Sequence, residues 1–70
     1  MDLNQLNYFR IVAEYEHITK AAEHLHISQP SLSATIARLE KEIGTPLFLR
    51  SSNKIQLNEN GRTFLRYVYR

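Results

Sequence analysis

The chain contains no cysteine, only two glycines and two prolines, and no long apolar run. Without cysteine there is no disulfide framework and no thiolate metal site, which fits a reducing compartment. Two glycines leave no material for a Gly-rich phosphate loop. No segment approaches the roughly 18 consecutive apolar residues of a membrane span, so no membrane partner is expected. Met1-Asp2-Leu3-Asn4 lacks the basic and apolar regions of a secretion signal, and a cytoplasmic location follows as the expectation. Catalytic furniture is missing as well. No nucleophile, base and orienting group stand out as a set, and no enzyme is expected. The three histidines, His17, His24 and His26, do not suggest a metal either. His24 and His26 lie two apart, so a helix would point them to different sides, and no Asp or Cys completes a site. Neither a metal nor a cofactor is expected.

What is present is one domain's worth of chain. Seventy residues bury only about 60% of the unfolded surface, so stability is modest. Net charge is +2 and unevenly spread. Residues 1–26 set Arg10 and Lys20 against Asp2, Glu14, Glu16 and Glu23, while residues 27–43 balance Arg38 and Lys41 against Glu40 and Glu42. Residues 44–70 hold Arg50, Lys54, Arg62, Arg66 and Arg70 against Glu59 alone. The C-terminal third is the cationic end, where a phosphate backbone would be met, although ordinary solvated charges would give the same count.

The stretch Ala21–Gly44 organises the rest. It reads as a short helix, a sharp turn and a longer helix whose stripe is Leu32, Ile36, Leu39 and Ile43, at spacings of four, three and four. That spacing keeps the four on one face of a 3.6-residue helix. Ser31, Ser33, Thr35 and Arg38 are expected on the other, a small polar face suited to a DNA groove. This is a helix-turn-helix pattern.

Around it, Asp2 and Gln5 have the spacing of a capping box that starts helix 1, with Leu3, Leu6, Phe9 and Ala13, and Val12 beside them, as its stripe. Tyr8 and Tyr15 are expected at its packed edge, and the helix should fade at Tyr15–His17. Thr19 is the expected cap of helix 2, with Ala21, Ala22 and Leu25 turned inward. His26-Ile27-Ser28 makes the turn: His26 stands where a left-handed backbone is expected, Ile27 plugs the angle and Ser28 caps helix 3. Pro30 falls in that helix's first turn, where its missing N–H costs nothing. Gly44 stops the helix and Pro46 forbids its continuation. Residues 47–50 and 54–57 read as two strands around a polar Ser51-Ser52-Asn53 tip, with Ile55 and Leu57 on one side and Lys54 and Gln56 on the other. Such a ribbon must lean on the helical core, and it makes a wing. Asn58 can cap a last helix with Arg62, Arg66 and Arg70 on one face and Leu65 and Val68, beside Phe64, on another. The arginine series suits a solvated face better than a phosphate rail. The chain ends inside this periodic segment without a C-cap signal, as expected of a piece of a longer protein. The expected class is mainly α, a winged helix-turn-helix with a three-helix core, a two-stranded wing and the start of a linker helix.

The run AA-x-x-L-x-I-S-Q-P-S-L-S-x-x-I-x-x-L-E-x-x-I-G-x-P-L-F-x-R resembles the LysR-type transcriptional regulators. The likeness extends upstream through Asp2-Leu3, Leu6, Tyr8-Phe9 and Ala13-Glu14, and downstream through Leu57, Glu59 and Gly61. It implies sequence-specific binding of double-stranded DNA by a bacterial transcription factor. Residues 1–58 would be the winged helix-turn-helix domain and 59–70 the beginning of a dimerising linker helix. A C-terminal domain that binds a small-molecule effector is implied but absent here. The resemblance also implies a homodimer through the linker helix, a tetramer at full length, and Tyr67 and Tyr69 facing the partner rather than stacking on bases.

Carried over by position, Gln29, Pro30 and Ser33 open a recognition helix (about 29–43) in the major groove, followed by Ala34 and Thr35. Gln can bond adenine N6 and N7 together, Pro can touch a thymine methyl, and Ser can reach a base edge or phosphate. Thr19, Ser28 and Ser31 match positions that hold the sugar-phosphate backbone. Arg38 could add a phosphate contact or pair with Glu42 four residues on. Arg50, Asn53 and Lys54 belong to a wing (50–54) at the minor groove. The departures are informative. The family often has Arg at the Ala34 position, Gln at Thr35 and Arg at Asn53, so the helix is poor in long polar reach and the wing inserts less charge. Asn58 replaces the usual Thr cap, a neutral exchange. The alternative function is a winged-helix module that docks proteins without binding DNA.

Overall fold

A computed structural model describes residues 1–69. The elements run α1 (Leu3–Tyr15), α2 (Ile18–Leu25), α3 (Gln29–Ile43), β1 (Phe48–Ser51), β2 (Lys54–Leu57) and α4 (Glu59–Val68). Four helices with one two-stranded antiparallel sheet give the mainly α, winged arrangement expected.

Local chemistry sets the boundaries. At the start of α1, Asp2 accepts from the Gln5 N–H at 2.8 Å while Gln5 Oε1 accepts from the Asp2 N–H at 3.2 Å, a complete capping box. Helix α1 ends at Tyr15 because Glu16 turns left-handed, with φ 52°. The expected Thr19 cap of α2 is a correction: His17 holds that place, extended at φ −152°, with Nδ1 accepting from the Lys20 N–H. The helix begins at Ile18, so Thr19 already lies inside its first turn. His26 adopts the left-handed conformation (φ 57°), Ser28 caps α3, and Gly44 closes it at φ 94°. Asn58 caps α4 through the Gly61 N–H at 2.8 Å.

The core joins all six elements. Phe9, Val12, Ala21, Leu32, Ile36, Leu39 and Leu47 are fully buried, and Ile55 nearly so. Each large side chain removed from water contributes about 1.5–3 kcal/mol. Phe9 is the hub, with its ring centroid 5.4 Å from Phe48 and 5.0 Å, edge-on, from Phe64. It thereby ties α1 to β1 and α4 at once. Two expectations for α1 need correcting. Leu3, expected on the stripe, is 83% exposed in the first turn, and Ile11, not counted on it, is buried.

Strand β1 starts one residue later than expected, at Phe48, and the tip is the two-residue turn Ser52-Asn53, with Ser51 opposite Lys54. Lys54 and Gln56 face out, Ile55 is buried and Leu57 half-buried, the alternation read from the sequence. The wing leans on the corner between α1 and α2. The Ile18 N–H donates to the Asn53 carbonyl at 3.0 Å, and the Ile55 N–H to the Glu16 carbonyl at 3.3 Å. His17 and Lys54 form an isolated bridge between the same segments.

Candidate nucleic-acid interface

The exposed end of α3 is built by its cap. Ser28 Oγ accepts from the Ser31 N–H at 3.1 Å and donates to Ser31 Oγ at 2.8 Å, fixing both hydroxyls at the start of the helix. Pro30 in the first turn has no N–H to satisfy. Gln29, Pro30, Ser31 and Ala34 are exposed and Ser33 is half-exposed. A helix N-terminus with exposed small hydroxyls, at the positive end of the helix dipole, suits contact with anions.

Two hydrogen bonds connect this end to its surroundings. Thr19 Oγ1 donates to Gln29 Oε1 at 3.1 Å, linking α2 to α3. Arg50 Nη1 donates to Ser33 Oγ at 3.2 Å, linking β1 to α3. The sequence-derived residues Thr19, Gln29, Ser33 and Arg50 therefore form one connected surface. Asn53 and Lys54 stand exposed at the wing's tip, one strand pair beyond Arg50.

Thr35 does not lie on the outer polar face expected of it. It is 8% exposed, on the flank of the Leu32, Ile36 and Leu39 stripe. Position 35 is three residues past Leu32 and four before Leu39, so it widens the buried stripe rather than crossing to the outer face. Its hydroxyl donates to the Ser31 carbonyl at 3.0 Å and accepts from Arg38 Nη2 at 3.3 Å. Arg38 is thus held by Thr35; the pairing with Glu42 weighed from sequence does not form. Instead Glu42 pairs with the Met1 amine, and Glu40 Oε2 accepts from the Leu47 N–H at 2.7 Å. Both carboxylates of α3 are thereby engaged by protein donors.

Along α4, Arg62 and Arg66 are exposed, while Phe64, Leu65 and Val68 pack on the core. Arg70, the third of the arginine series, lies outside the described residues. Tyr67 and Tyr69 are 63% and 60% exposed. Among the described residues no group of three His, Cys, Asp or Glu side chains gathers where it could hold a metal, and no helix is long and apolar enough to cross a membrane.

Sequence reasoning passed over the role of Gly61. A Cβ there would sit 2.1 Å from the Leu47 carbonyl oxygen and 2.8 Å from Leu57 Cδ2, so only glycine lets α4 approach the wing's base. The available signal was a glycine inside a helical segment, unfavourable by about 1 kcal/mol unless close approach requires it.

The arrangement has close counterparts. The HTH-type transcriptional regulator YybE of Bacillus subtilis is 52% identical over 68 residues, covering 97% of this chain and 23% of that protein. BudR of Klebsiella aerogenes is 52% identical over 64 residues, covering 91% of this chain and 45% of that protein. The chain thus spans less than half the length of these relatives. Among solved structures, the CbnR DNA-binding domain in complex with DNA superposes with a TM-score of 0.93 at 38% identity, covering 99% of this chain and 79% of that one. The BenM DNA-binding domain on catB site 1 DNA gives a TM-score of 0.90 at 40% identity, covering 99% and 74%. The family described as bacterial regulatory helix-turn-helix protein, lysR family, matches residues 3–62, and the chain belongs to that family.

Proposed function

We propose that this chain is the DNA-binding part of a transcriptional regulator, reading double-stranded DNA with α3 in the major groove and the wing at the minor groove. Gln29, Pro30, Ser33 and Ala34 meet base edges; Ser28, Ser31 and Arg38 meet phosphates; Arg50, Asn53 and Lys54 border the minor groove. Thr35 contributes by holding Arg38. Residues 1–58 are the reading domain, and α4 begins a linker helix through which a homodimer presents two half-sites, with Tyr67 and Tyr69 toward the partner. A cytoplasmic location, a tetramer at full length and an effector-binding domain elsewhere in the longer protein complete the reading.

The single observation that carries it is the exposed first turn of α3, free of apolar cover and connected to the wing through Arg50 and Ser33. Its support from relatives is that folds of the same shape are seen on DNA in CbnR and BenM.

The test is a gel shift on a pseudo-palindromic duplex drawn from a random-sequence selection, repeated over a salt series. Affinity should fall steeply with salt as phosphate counterions are released. Ser33→Glu should weaken binding on the order of 100-fold or more, since a carboxylate against phosphates costs several kcal/mol. Its circular dichroism should be unchanged, because Arg50 can pair with the new carboxylate. Undiminished binding by the variant would refute the docking face. A wild-type chain that retards no duplex would instead favour a protein-docking module.

A further inference from the structure

Thr19 was matched to a position that holds the DNA backbone, but its geometry assigns it another task. Its Oγ1 lies 3.1 Å from Gln29 Oε1 and donates to it, from the first turn of α2 to the first residue of α3. A threonine hydroxyl carries one proton. Given to Gln29, that proton is not available to a phosphate oxygen, which only accepts. The bond also biases what Gln29 offers. An amide has an accepting oxygen and two donating N–H groups. With one of the oxygen's two lone pairs taken by Thr19, the two N–H groups are the larger part of what the exposed side chain has left to offer.

We propose that Thr19 is a positioning residue that biases Gln29 toward donating, so that the base edge it favours is one bearing acceptors alone. In the major groove guanine offers N7 and O6, and thymine offers O4 beside its methyl. Adenine needs an acceptor for its N6 amine as well as a donor for N7, and cytosine offers only a donor. Guanine or thymine is therefore expected to be favoured over the adenine that an unrestrained glutamine would take in bidentate fashion. This inference rests on the proposed reading of DNA by α3, and it deepens that reading to a base preference at one position.

The experiment is a selection from random duplexes with the wild-type chain, Gln29→Ala, Thr19→Ser and Thr19→Val. Gln29→Ala maps the position that Gln29 reads, as the one whose preference disappears. The wild-type chain should show guanine or thymine there. Thr19→Ser keeps the hydroxyl and should keep the preference, whereas Thr19→Val should relax it about tenfold toward adenine, with the other positions of the motif unmoved. Adenine at the mapped position in the wild type would overturn the proposal without any Thr19 variant. So would a Thr19→Val chain that binds all sequences uniformly more weakly with its preferences intact, the signature of a lost phosphate contact. If the wild-type chain enriches no sequence at all, the reading of DNA itself fails, and this outcome is distinct from the other two.

Discussion

Helix α3 is held by side chains, with Leu32, Ile36 and Leu39 fully buried among α1 and α2, while the wing adds main-chain bonds to the buried side chains of Phe48 and Ile55. The Leu47 carbonyl accepts from the Asn58 N–H at 2.9 Å and lies against Gly61; the Asn53 and Glu16 carbonyls take the Ile18 and Ile55 N–H groups. Both halves supply part of one surface, yet they fail in different ways. A packed stripe loses stability in proportion to the volume removed. A backbone contact is insensitive to volume removed nearby and intolerant of a single atom added at the contact. The wing can therefore carry varied side chains on its outer face, Leu49, Arg50, Lys54 and Gln56, while its placement stays fixed.

The largest expected effect breaks the first half. Ile36→Ala removes a fully buried side chain from the middle of α3, and such truncations cost about 2–5 kcal/mol. A domain of this size sits near the low end of the roughly 5–15 kcal/mol typical of folded proteins, so the variant should lose a large part or all of its stability. Urea denaturation followed by circular dichroism measures it, with Gln56→Ala on the exposed face of the wing as the comparator expected within about 0.5 kcal/mol of wild type. A loss below 1 kcal/mol at Ile36 would mean that α3 is not held by its stripe.

The second half breaks at Gly61. Alanine there improves helix propensity by about 1 kcal/mol, but its Cβ would fall 2.1 Å from the Leu47 carbonyl oxygen, a backbone atom with no easy escape. Overpacking of this kind costs about 1–3 kcal/mol, so the net change should be destabilising. Thermal unfolding decides the sign: a stabilised Gly61→Ala would show that α4 can shift away from the wing at no penalty, and the contrast between the halves would lose its basis.

These halves also differ in how far the sequence discloses them. Caps at Asp2, Ser28 and Asn58, the stop at Gly44 and the left-handed His26 each follow from a residue type acting within a few positions of itself. The stripe of α3 follows from period alone, and so does the alternation of β2. Thr35 is where period and polarity disagree: its hydroxyl suggested the outer face, whereas its position put it inside, with the hydroxyl satisfied by the Ser31 carbonyl one turn back. Leu3 is the reverse, an apolar residue on the right period but exposed in the first turn. The links that assemble the site, Thr19 to Gln29 and Arg50 to Ser33, join residues ten and seventeen apart. They depend on how elements cross, which no local pattern contains. Which residues would be surface-exposed at the start of α3 was legible; which of them would hold each other was not.

The smallest expected effect separates the two devices where they meet. His17 caps α2 through Nδ1, which accepts from the Lys20 N–H at 3.2 Å, while its main chain bridges to Lys54 in the wing. His17→Ala removes the cap and leaves the bridge. The loss should be about 0.5–1 kcal/mol, the usual consequence of deleting a capping acceptor, and His17→Asp, which supplies another acceptor to the same N–H, should recover it. Because the Ile18 N–H to Asn53 carbonyl bond is pure main chain, its hydrogen-exchange protection should fall only in step with global stability in His17→Ala. A selective opening of the Ile18 and Ile55 amides in that variant would mean that the imidazole also anchors the wing. The corner between α1 and α2 would then hold the wing's tip through a side chain as well as through main chain.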